Sequence, residues 1–368
     1  MTGTILIVTE DERLLDDLLR LCAAVGADTE VGNGREPGPG TREGTTAPRS
    51  WDRSPLVLVG DDRAAHLTGL PRRPGLLLVG RDQDDPGVWA RGAGIGAEGV
   101  VMLPDGESWL AGRIADAAEG HVEAALTVGV LGGRGGAGAS TLACALAVTA
   151  ARLGHRTMLI DADPLGGGLD VMLGADQVKG MRWPAFAESR GRVSGDDLEE
   201  ALPRHRELRL LSWDREQTVT IPPDAMRSVL AAARRRAEVV VVDLPRGLDE
   251  GAVEACAQLD LALLAVPTEL RAVAAAHRVS ARVRMVLRDL RLVICPAHDP
   301  GHRGLSTEEI TQLLRLPLAG ELPYEDGLLD HINRGRPPGS RTRGPLAGFC
   351  EEFWSRASPT RTEGGAAA

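Results

Sequence analysis

A glycine-rich stretch near the middle of the chain, residues 133–141, constrains the fold more than any other feature. It lies between an apolar segment, residues 126–131, and a segment with helical periodicity, residues 142–153. This order predicts a buried strand, a tight turn and the start of a helix. Glycine tolerates positive φ and lets the backbone approach a ligand, and a helix N-terminus presents free N–H groups to an anion. We therefore predict that the turn binds phosphate.

The stretch departs at one position from the phosphate-loop pattern G-x-x-x-x-G-K-[ST]. Gly133, Gly138 and Ser140 fit the pattern, but Ala139 stands where it has lysine. A unit charge about 4 Å from a phosphate is worth about 4 kcal/mol at an effective dielectric of roughly 20, so its loss is expected to weaken turnover more than binding. Arg134 is the possible substitute, because its guanidinium suits phosphate. A glycine-rich turn that binds nothing is the alternative.

Length and composition limit the classes of protein. With 368 residues, 43% of them hydrophobic, the chain is expected to form about two domains. A formal charge of −10 argues against a generally basic nucleic-acid-binding surface. The basic run at residues 234–236 ends an alanine-rich helical pattern, so we expect a solvated helix end rather than a DNA contact.

The cysteines and the apolar runs indicate a cytoplasmic protein. The five cysteines are far apart and lack metal-ligand spacing, which is typical of a reducing compartment. The N-terminus begins on a strand pattern without a basic signal-peptide region, and no apolar run is long enough to span a bilayer.

The first 120 residues predict alternating strands and helices. Apolar strands are expected at residues 4–8, 55–60, 75–80 and 99–103, with helices at 11–25 and 109–125. Apolar strands that alternate with helices indicate a parallel sheet covered on both faces. Residues 32–55 show no period, and we expect a mobile loop there.

This order of elements resembles a flavodoxin-like response-regulator receiver domain. The resemblance places the acidic pair of receivers at Glu10 and Asp11, but Gly60 stands at the phosphate-accepting position, with Asp61 and Asp62 just beyond it. Leu103-Pro104 stands where receivers have Lys-Pro. We therefore expect a pseudo-receiver with solvated acidic turns, which docks to itself or to a partner.

Two strands of the second half end in aspartate. Residues 157–160 precede Asp161 and Asp163, and four valines, residues 239–242, precede Asp243. The carboxyl ends of strands in an α/β sheet face the ligand crevice, so these carboxylates can meet there. Together with the glycine turn they predict a nucleotide–Mg²⁺ site.

The remaining chain predicts one α/β domain over residues 126–348, with a mainly parallel sheet. Residues 349–368 are expected to form a largely disordered tail, although residues 349–354 favour a short helix packing back on the domain over a membrane anchor. Trp183 and Trp213 are expected to pack rather than to stack on bases.

The glycine stretch, Asp161-Ala162-Asp163, residues 239–245 and Val266-Pro267-Thr268 resemble the MinD/ParA group of deviant-Walker ATPases, most closely the CpaE/TadZ branch and its actinobacterial septum-site-determining members. The resemblance implies that Arg134 takes the place of the signature lysine that reaches the partner subunit's phosphates, and that Asp163 positions the attacking water. It implies a magnesium site at Ser140, Asp161 and Asp243. It also implies a phosphate cradle, formed by Gly133, Arg134, Gly135, Gly136, Ala137, Gly138, Ala139, Ser140 and Thr141. An asparagine-arginine adenine motif is missing, because Cys295-Pro296 stands there.

The resulting hypothesis is a cytoplasmic protein, recruited to the membrane or septum indirectly, that binds ATP and Mg²⁺ and forms a homodimer with weak or absent hydrolysis. It would position division or secretion machinery through partner proteins, without specific nucleic acid. Three alternatives stay open: an active ATPase using Arg134 in trans, a nucleotide-free scaffold, and DNA partitioning, which the acidic balance disfavours.

Overall fold

The computed structural model describes residues 3–32, 50–70, 72–118, 125–187, 193–214, 220–296 and 304–357. The chain divides into two compact units, Met1–Glu123 and Ala124–Ala368. Both units are α/β, as the sequence predicted. The irregular stretch at 33–49 and the end of the predicted tail, residues 358–368, lie outside the described residues.

The first unit is a five-stranded parallel sheet with helices on both faces. Its strands are β1 (Ile5–Val8), β2 (Thr29–Val31), β3 (Val57–Gly60), β4 (Leu76–Gly80) and β5 (Gly99–Met102), in the order β2-β1-β3-β4-β5. Its helices are α1 (Glu12–Ala24), α2 (Asp61–Ala64), α3 (Val88–Gly94) and α4 (Glu107–Ala118). Strands β1, β3 and β4 are buried along their whole length because helices cover both faces.

The second unit is built on an eight-stranded sheet in the order β13-β12-β11-β6-β10-β7-β9-β8. All pairings are parallel except β8 with β9. The strands are β6 (Leu126–Gly132), β7 (Thr157–Asp161), β8 (Arg204–His205), β9 (Leu208–Leu211), β10 (Val239–Asp243), β11 (Leu261–Pro267), β12 (Leu290–Cys295) and β13 (Leu318–Glu321). The helices are α5 (Ala139–Arg152), α6 (Leu169–Leu173), α7 (Trp183–Ala187), α8 (Gly195–Ala201), α9 (Pro223–Arg236), α10 (Glu250–Ala257), α11 (Leu270–Val283), α12 (Thr307–Leu314), α13 (Leu328–Asn333) and α14 (Pro345–Ala357).

Helix α14 corrects the boundary predicted at residue 349, because that position lies inside the helix. Cys350, Phe353 and Trp354 are buried in the same apolar cluster as α5, and the Trp354 indole N–H donates to the Leu146 carbonyl at 3.0 Å. One face of α14, with Cys350, Phe353 and Trp354, therefore belongs to the core of the second unit. The expected packing of this segment on its own domain is confirmed.

The basic run at the end of α9 differs from the expected solvated helix end. Arg235 is buried and donates to the Val193 carbonyl at 2.6 Å, and Arg236 pairs with Asp196 and Glu199 at 2.9 and 3.0 Å. Arg234 donates to the Gln258 carbonyl at the C-terminal end of α10. These cations hold neighbouring elements together.

Candidate functional site

The glycine loop follows β6 and leads into α5, as the sequence predicted. Gly136 and Gly138 have φ of 72° and 88°, a region that glycine adopts without steric cost, and Gly138 is the N-cap of α5. A Cβ atom on Gly135, Gly136 or Gly138 would meet nothing within 4 Å. Gly133 differs, since a Cβ there would lie 2.7 Å from that of Ala276 on α11. The loop is thus anchored at its start and opens onto free space before the helix.

A cavity of about 480 Å³ continues from this loop toward the β12–β13 edge of the sheet. A cavity of this size suits a small ligand. Ala137, Gly138 and Thr141 form its loop side, and the ends of β11 and β12 form its floor. Of the described residues that line it, none is lysine or arginine. Ala139 packs on a small apolar cluster that contains Ala137, Ala265 and Cys295, so this part of the site holds no cation where the motif has lysine.

Asp161 and Asp243 lie side by side, because β7 and β10 are paired with these residues in register. Their exposures are only 1% and 3%. Burial raises the pKa of Asp243 to about 8, helped by the neighbouring Asp161 charge and opposed by a hydrogen bond from Ser140. Burial raises the pKa of Asp161 to about 6 against the hydrogen bonds it accepts. Among the described residues, no cationic side chain offsets the charge of these two buried carboxylates.

The Asp161 side chain shapes the turn that follows β7. Its carboxylate accepts from the Asp163 and Leu169 N–H groups, at 3.2 and 3.0 Å, and from the Ser212 hydroxyl at 3.0 Å. The buried Trp183 indole donates to the Asp161 carbonyl at 2.6 Å. Asp163 is only partly buried and accepts from the Leu165 N–H. The expected packing role of Trp183 is confirmed, and Ser212 adds a contact that the sequence did not indicate.

The Arg134 guanidinium is directed to a carboxylate of the same chain. Its Nη2 atom lies 3.0 Å from both carboxylate oxygens of Glu269, the N-cap residue of α11. The Arg134 Nε atom is buried without a hydrogen-bond partner. About a third of each side chain is exposed, 33% for Arg134 and 31% for Glu269. The guanidinium is therefore held in cis, whereas the family resemblance implied a reach toward a partner subunit.

The residues present fit a hydrated Mg²⁺ ion better than a protein-only metal cage. Within the described part of the chain, no three His, Cys, Asp or Glu side chains converge as a metal cluster. The Ser140 hydroxyl, which donates to Asp243, and the two buried carboxylates supply oxygen ligands and negative charge. Mg²⁺ usually keeps several waters and takes its other ligands from few side chains and from phosphates.

Sequence reasoning missed Glu269 and Glu325. Glu269 directly follows Val266-Pro267-Thr268, and its signal was a carboxylate at a strand-to-helix turn on the ligand edge of the sheet. Glu325 lines the cavity from the segment after β13, where no local motif marks it. Glu269 contacts Arg134 and Glu325 contacts Leu346, and both pairs are far apart in the sequence, so residue spacing alone could not reveal them.

In the first unit, Gly60 stands where receivers carry the phosphate-accepting aspartate, and the Asp62 carboxylate occupies the space that a side chain there would need. A Cβ atom on Gly60 would collide with the Asp62 carboxylate, which accepts from the Thr9 hydroxyl and the Glu10 N–H at 2.7 Å each. Asp11 caps α1, and Asp61 accepts two hydrogen bonds from Arg91. The expectation of solvated acidic turns is confirmed for Glu10, Asp11 and Asp62, which are exposed, and the structure adds that these carboxylates also have partners within the unit.

None of the described helices has the length and apolar character needed to cross a bilayer.

Comparison with known proteins agrees with this two-unit fold. Residues 8–125 match the family described as Rv3660c-like, CheY-like N-terminal domain, and residues 128–338 match the CobQ/CobB/MinD/ParA nucleotide binding domain. The uncharacterized protein Rv3660c of Mycobacterium tuberculosis is 32% identical over 331 residues, which cover 88% of this chain and 90% of that protein. The septum site-determining protein MinD of Synechocystis is 27% identical, covering 56% of this chain and 79% of the relative.

Solved structures show the same fold for the second unit. The MinD cell division protein of Aquifex aeolicus matches with a TM-score of 0.52 at 24% identity, over 64% of this chain and all (100%) of that one. MinD of Pyrococcus horikoshii, solved with Mg-ADP, matches with a TM-score of 0.54 at 19% identity, over 62% and 95% of the two chains. On the family match and the fold, the chain belongs to the CobQ/CobB/MinD/ParA nucleotide-binding family and carries a CheY-like domain before it.

Proposed function

We propose that the second unit binds ATP with Mg²⁺ and uses it to favour a homodimer, with weak or absent hydrolysis. The observation that carries the proposal is the glycine loop before α5, which opens onto free space and leads directly into a cavity of about 480 Å³. Backbone N–H groups at the start of α5 offer an anion site that does not depend on lysine. The phosphate cradle would comprise residues 133–141.

In this proposal Ser140 and Asp243 would hold the magnesium ion with Asp161 beside it, and Asp161 also keeps the turn after β7 in place. Bound magnesium would neutralise phosphate charge and the two buried carboxylates. Asp163, which is partly exposed at this edge of the sheet, would orient water near the terminal phosphate. The missing lysine at Ala139 is the reason to expect little turnover, since phosphoryl transfer depends on charge placed around the transferred group.

The biological role that we propose is positional control of division or secretion machinery, as in septum-site-determining members of the CpaE/TadZ branch. Nucleotide binding would shift the monomer–dimer equilibrium, and the dimer would present a surface to partner proteins at the membrane or septum. Support comes from the family membership and from the relatives named for septum-site determination. Membrane recruitment would be indirect.

The test is calorimetric titration of the full chain with ATP and Mg²⁺, followed by mass measurement in solution with and without nucleotide. We expect binding and a larger dimer fraction with nucleotide. No heat and no change in mass at millimolar ATP would leave the nucleotide-free scaffold. A phosphate-release assay on the native protein and on Arg134→Ala and Asp163→Ala separates the active ATPase, because turnover lost in both variants would favour it.

A further inference from the structure

Helix α11 and the turn after it carry a strong positive charge. Residues 270–288 contain five arginines and no aspartate or glutamate, in a chain whose formal charge is −10. The five, all exposed, are Arg271, Arg278, Arg282, Arg284 and Arg288. The first three recur at i, i+7 and i+11, so they lie on one side of the helix, and the other two follow where it ends. We call these five residues the arginine face.

The arginine face lacks carboxylate partners. Within the described part of the chain none of its five side chains forms an ion pair, and Arg282 only donates to the Leu248 carbonyl at 3.1 Å. By contrast, Arg227 pairs with two carboxylates of its own unit. Met285 follows Arg284 directly and is 84% exposed. Arginine and methionine are enriched at protein interfaces, so this combination is typical of a surface that docks an acidic partner.

The chain itself supplies an acidic partner. Residues 1–123, the first unit, contain 21 acidic and 12 basic residues, a formal charge of −9. DNA or an anionic bilayer would attract the arginine face but repel the first unit of the same chain. A second copy instead brings an acidic unit to the face. Charge complementarity therefore favours a second copy as the occupant.

One part of the first unit matches the arginine face in charge and in apolar character. Asp82, Asp84 and Asp105 are exposed, and none has a cationic partner among the residues that the structure describes. Gln83 joins their two loops by donating to the Asp105 carboxylate at 3.0 Å. Trp89, on the first turn of α3, is 64% exposed. We call the three aspartates and Trp89 the acidic surface; its indole suits both a guanidinium and an apolar side chain.

We propose that the arginine face of one copy binds the acidic surface of a second copy. Each copy carries both surfaces, so two copies can make the contact twice, as a two-fold dimer requires. The inference goes beyond the proposed nucleotide-favoured dimer, because this contact needs no nucleotide. A single exposed ion pair contributes little, so the contact depends on several charges acting together and is sensitive to salt.

Sedimentation of the full chain without nucleotide or magnesium tests the contact. We expect self-association at about 20 mM salt that weakens at least about tenfold at about 500 mM, because salt shortens the range of the attraction. A native chain that stays monomeric at low salt, or whose association does not respond to salt, would overturn the inference. Either result leaves the proposed nucleotide binding standing, since titration with ATP measures it separately.

A charge swap identifies the two surfaces. Arg278→Glu with Arg288→Glu makes the arginine face more acidic, and Asp82→Arg with Asp84→Arg makes the acidic surface basic. Each double variant alone is expected to self-associate at least about tenfold more weakly than the native chain. An equimolar mixture is expected to recover association, because each altered surface then meets a complementary one on the other chain. A mixture that stays monomeric would refute the pairing.

Glu12→Arg with Asp16→Arg is the matched control, because it makes the same change in net charge on exposed positions of α1. This variant is expected to self-associate no more weakly than the native chain. A loss equal to that of the Asp82 and Asp84 variant would mean that net charge, not the acidic surface, controls association. Duplex DNA and anionic vesicles serve as rival probes: binding that Arg278→Glu with Arg288→Glu abolishes, in a chain that does not self-associate, would assign the arginine face to another polyanion and overturn the inference.

Discussion

Replacement of Glu269 by glutamine is expected to tighten nucleotide binding about fivefold. Glu269 holds Arg134 through one nitrogen that lies 3.0 Å from both carboxylate oxygens. A charge pair about 4 Å apart attracts by about 4 kcal/mol at an effective dielectric of roughly 20. Since a third of each side chain is exposed, solvent and salt reduce this to about 1 kcal/mol, the upper end for exposed pairs. Arg134 would need to leave Glu269 to meet a phosphate, so the native protein loses about 1 kcal/mol of binding free energy in breaking the pair. Without the pair this free energy is added to binding. It corresponds to about fivefold in affinity, because 1.4 kcal/mol is tenfold.

Calorimetric titration with ATP and Mg²⁺ on four proteins measures this effect: native, Glu269→Gln, Arg134→Ala and the double variant. Removal of the Glu269 charge favours a phosphate even without Arg134. Comparison of the two single variants with the double variant, a double-mutant cycle, separates this effect from release of the Arg134 guanidinium. We expect the gain from Glu269→Gln to vanish when Arg134 is already alanine. An equal gain in both backgrounds would refute the reasoning, because Arg134 would then play no part in binding.

Asp289→Asn supplies a matched control. Asp289 pairs with Arg291 at 2.7 Å with similar exposures, 39% and 38%, but at the start of β12, the opposite end of the strands from the glycine loop. Loss of this pair is expected to cost about as little stability as loss of the Glu269 pair, within about 1 kcal/mol, and to leave nucleotide affinity unchanged. A change in affinity in this variant would mean that net charge alone controls binding.

Three further variants and conditions test other parts of the site. Ala139→Lys is expected to tighten ATP binding at least about tenfold in the same titration, and Ala139→Met, which has similar length without charge, is expected not to. The pKa of Asp243 is raised from 3.8 to about 8, so the folded protein holds this proton more tightly than the unfolded chain does, and stability without ligand is expected to fall as pH rises between these values. Binding of nucleotide with Mg²⁺ needs the carboxylate and is expected to tighten over about pH 6–8.5, a dependence that Asp243→Asn should abolish. Trp354→Ala is expected to cost about 3–5 kcal/mol in urea unfolding followed by circular dichroism, whereas Met285→Ala, an 84% exposed position, should stay within about 0.5 kcal/mol of the native protein.

The parts of the fold that the sequence predicted are those controlled by local pattern. The valine run before Asp243 is a buried strand because no polar face interrupts it, and the glycine loop is a turn because its positive φ values need glycine. The capping box at the start of α12 is likewise local, because Ser306 and Glu309 are three residues apart and join by hydrogen bonds of 3.2 and 2.8 Å. In these cases neighbouring residues contain all the information.

The parts that the sequence could not predict depend on distant contacts or on weak local signals. Strand β2 (Thr29–Val31) is a short, exposed edge strand, and its polar residues give no strand pattern. The Arg134–Glu269 pair joins residues 135 positions apart, and only the packing of α11 beside the loop brings them together. The sequence predicted a short packed helix at residues 349–354 but not the full extent of α14, Pro345–Ala357, because its buried face is defined by contacts with the distant helix α5.

The two units depart from their relatives in different ways, and the difference bears on which of them still takes a ligand. In the first unit the reactive position is closed, because the Asp62 carboxylate stands where a side chain on residue 60 would begin. In the second unit alanine stands in place of the lysine, yet no described residue lies within 4 Å of a Cβ atom built on Gly135, Gly136 or Gly138. Gly136 and Gly138 need glycine for their positive φ, so the turn keeps the shape of a phosphate loop, and the described residues leave space beside it for a ligand. The open loop of the second unit is therefore the stronger reason to look for a bound nucleotide there, and the closed turn of the first unit favours a docking role over phosphate transfer.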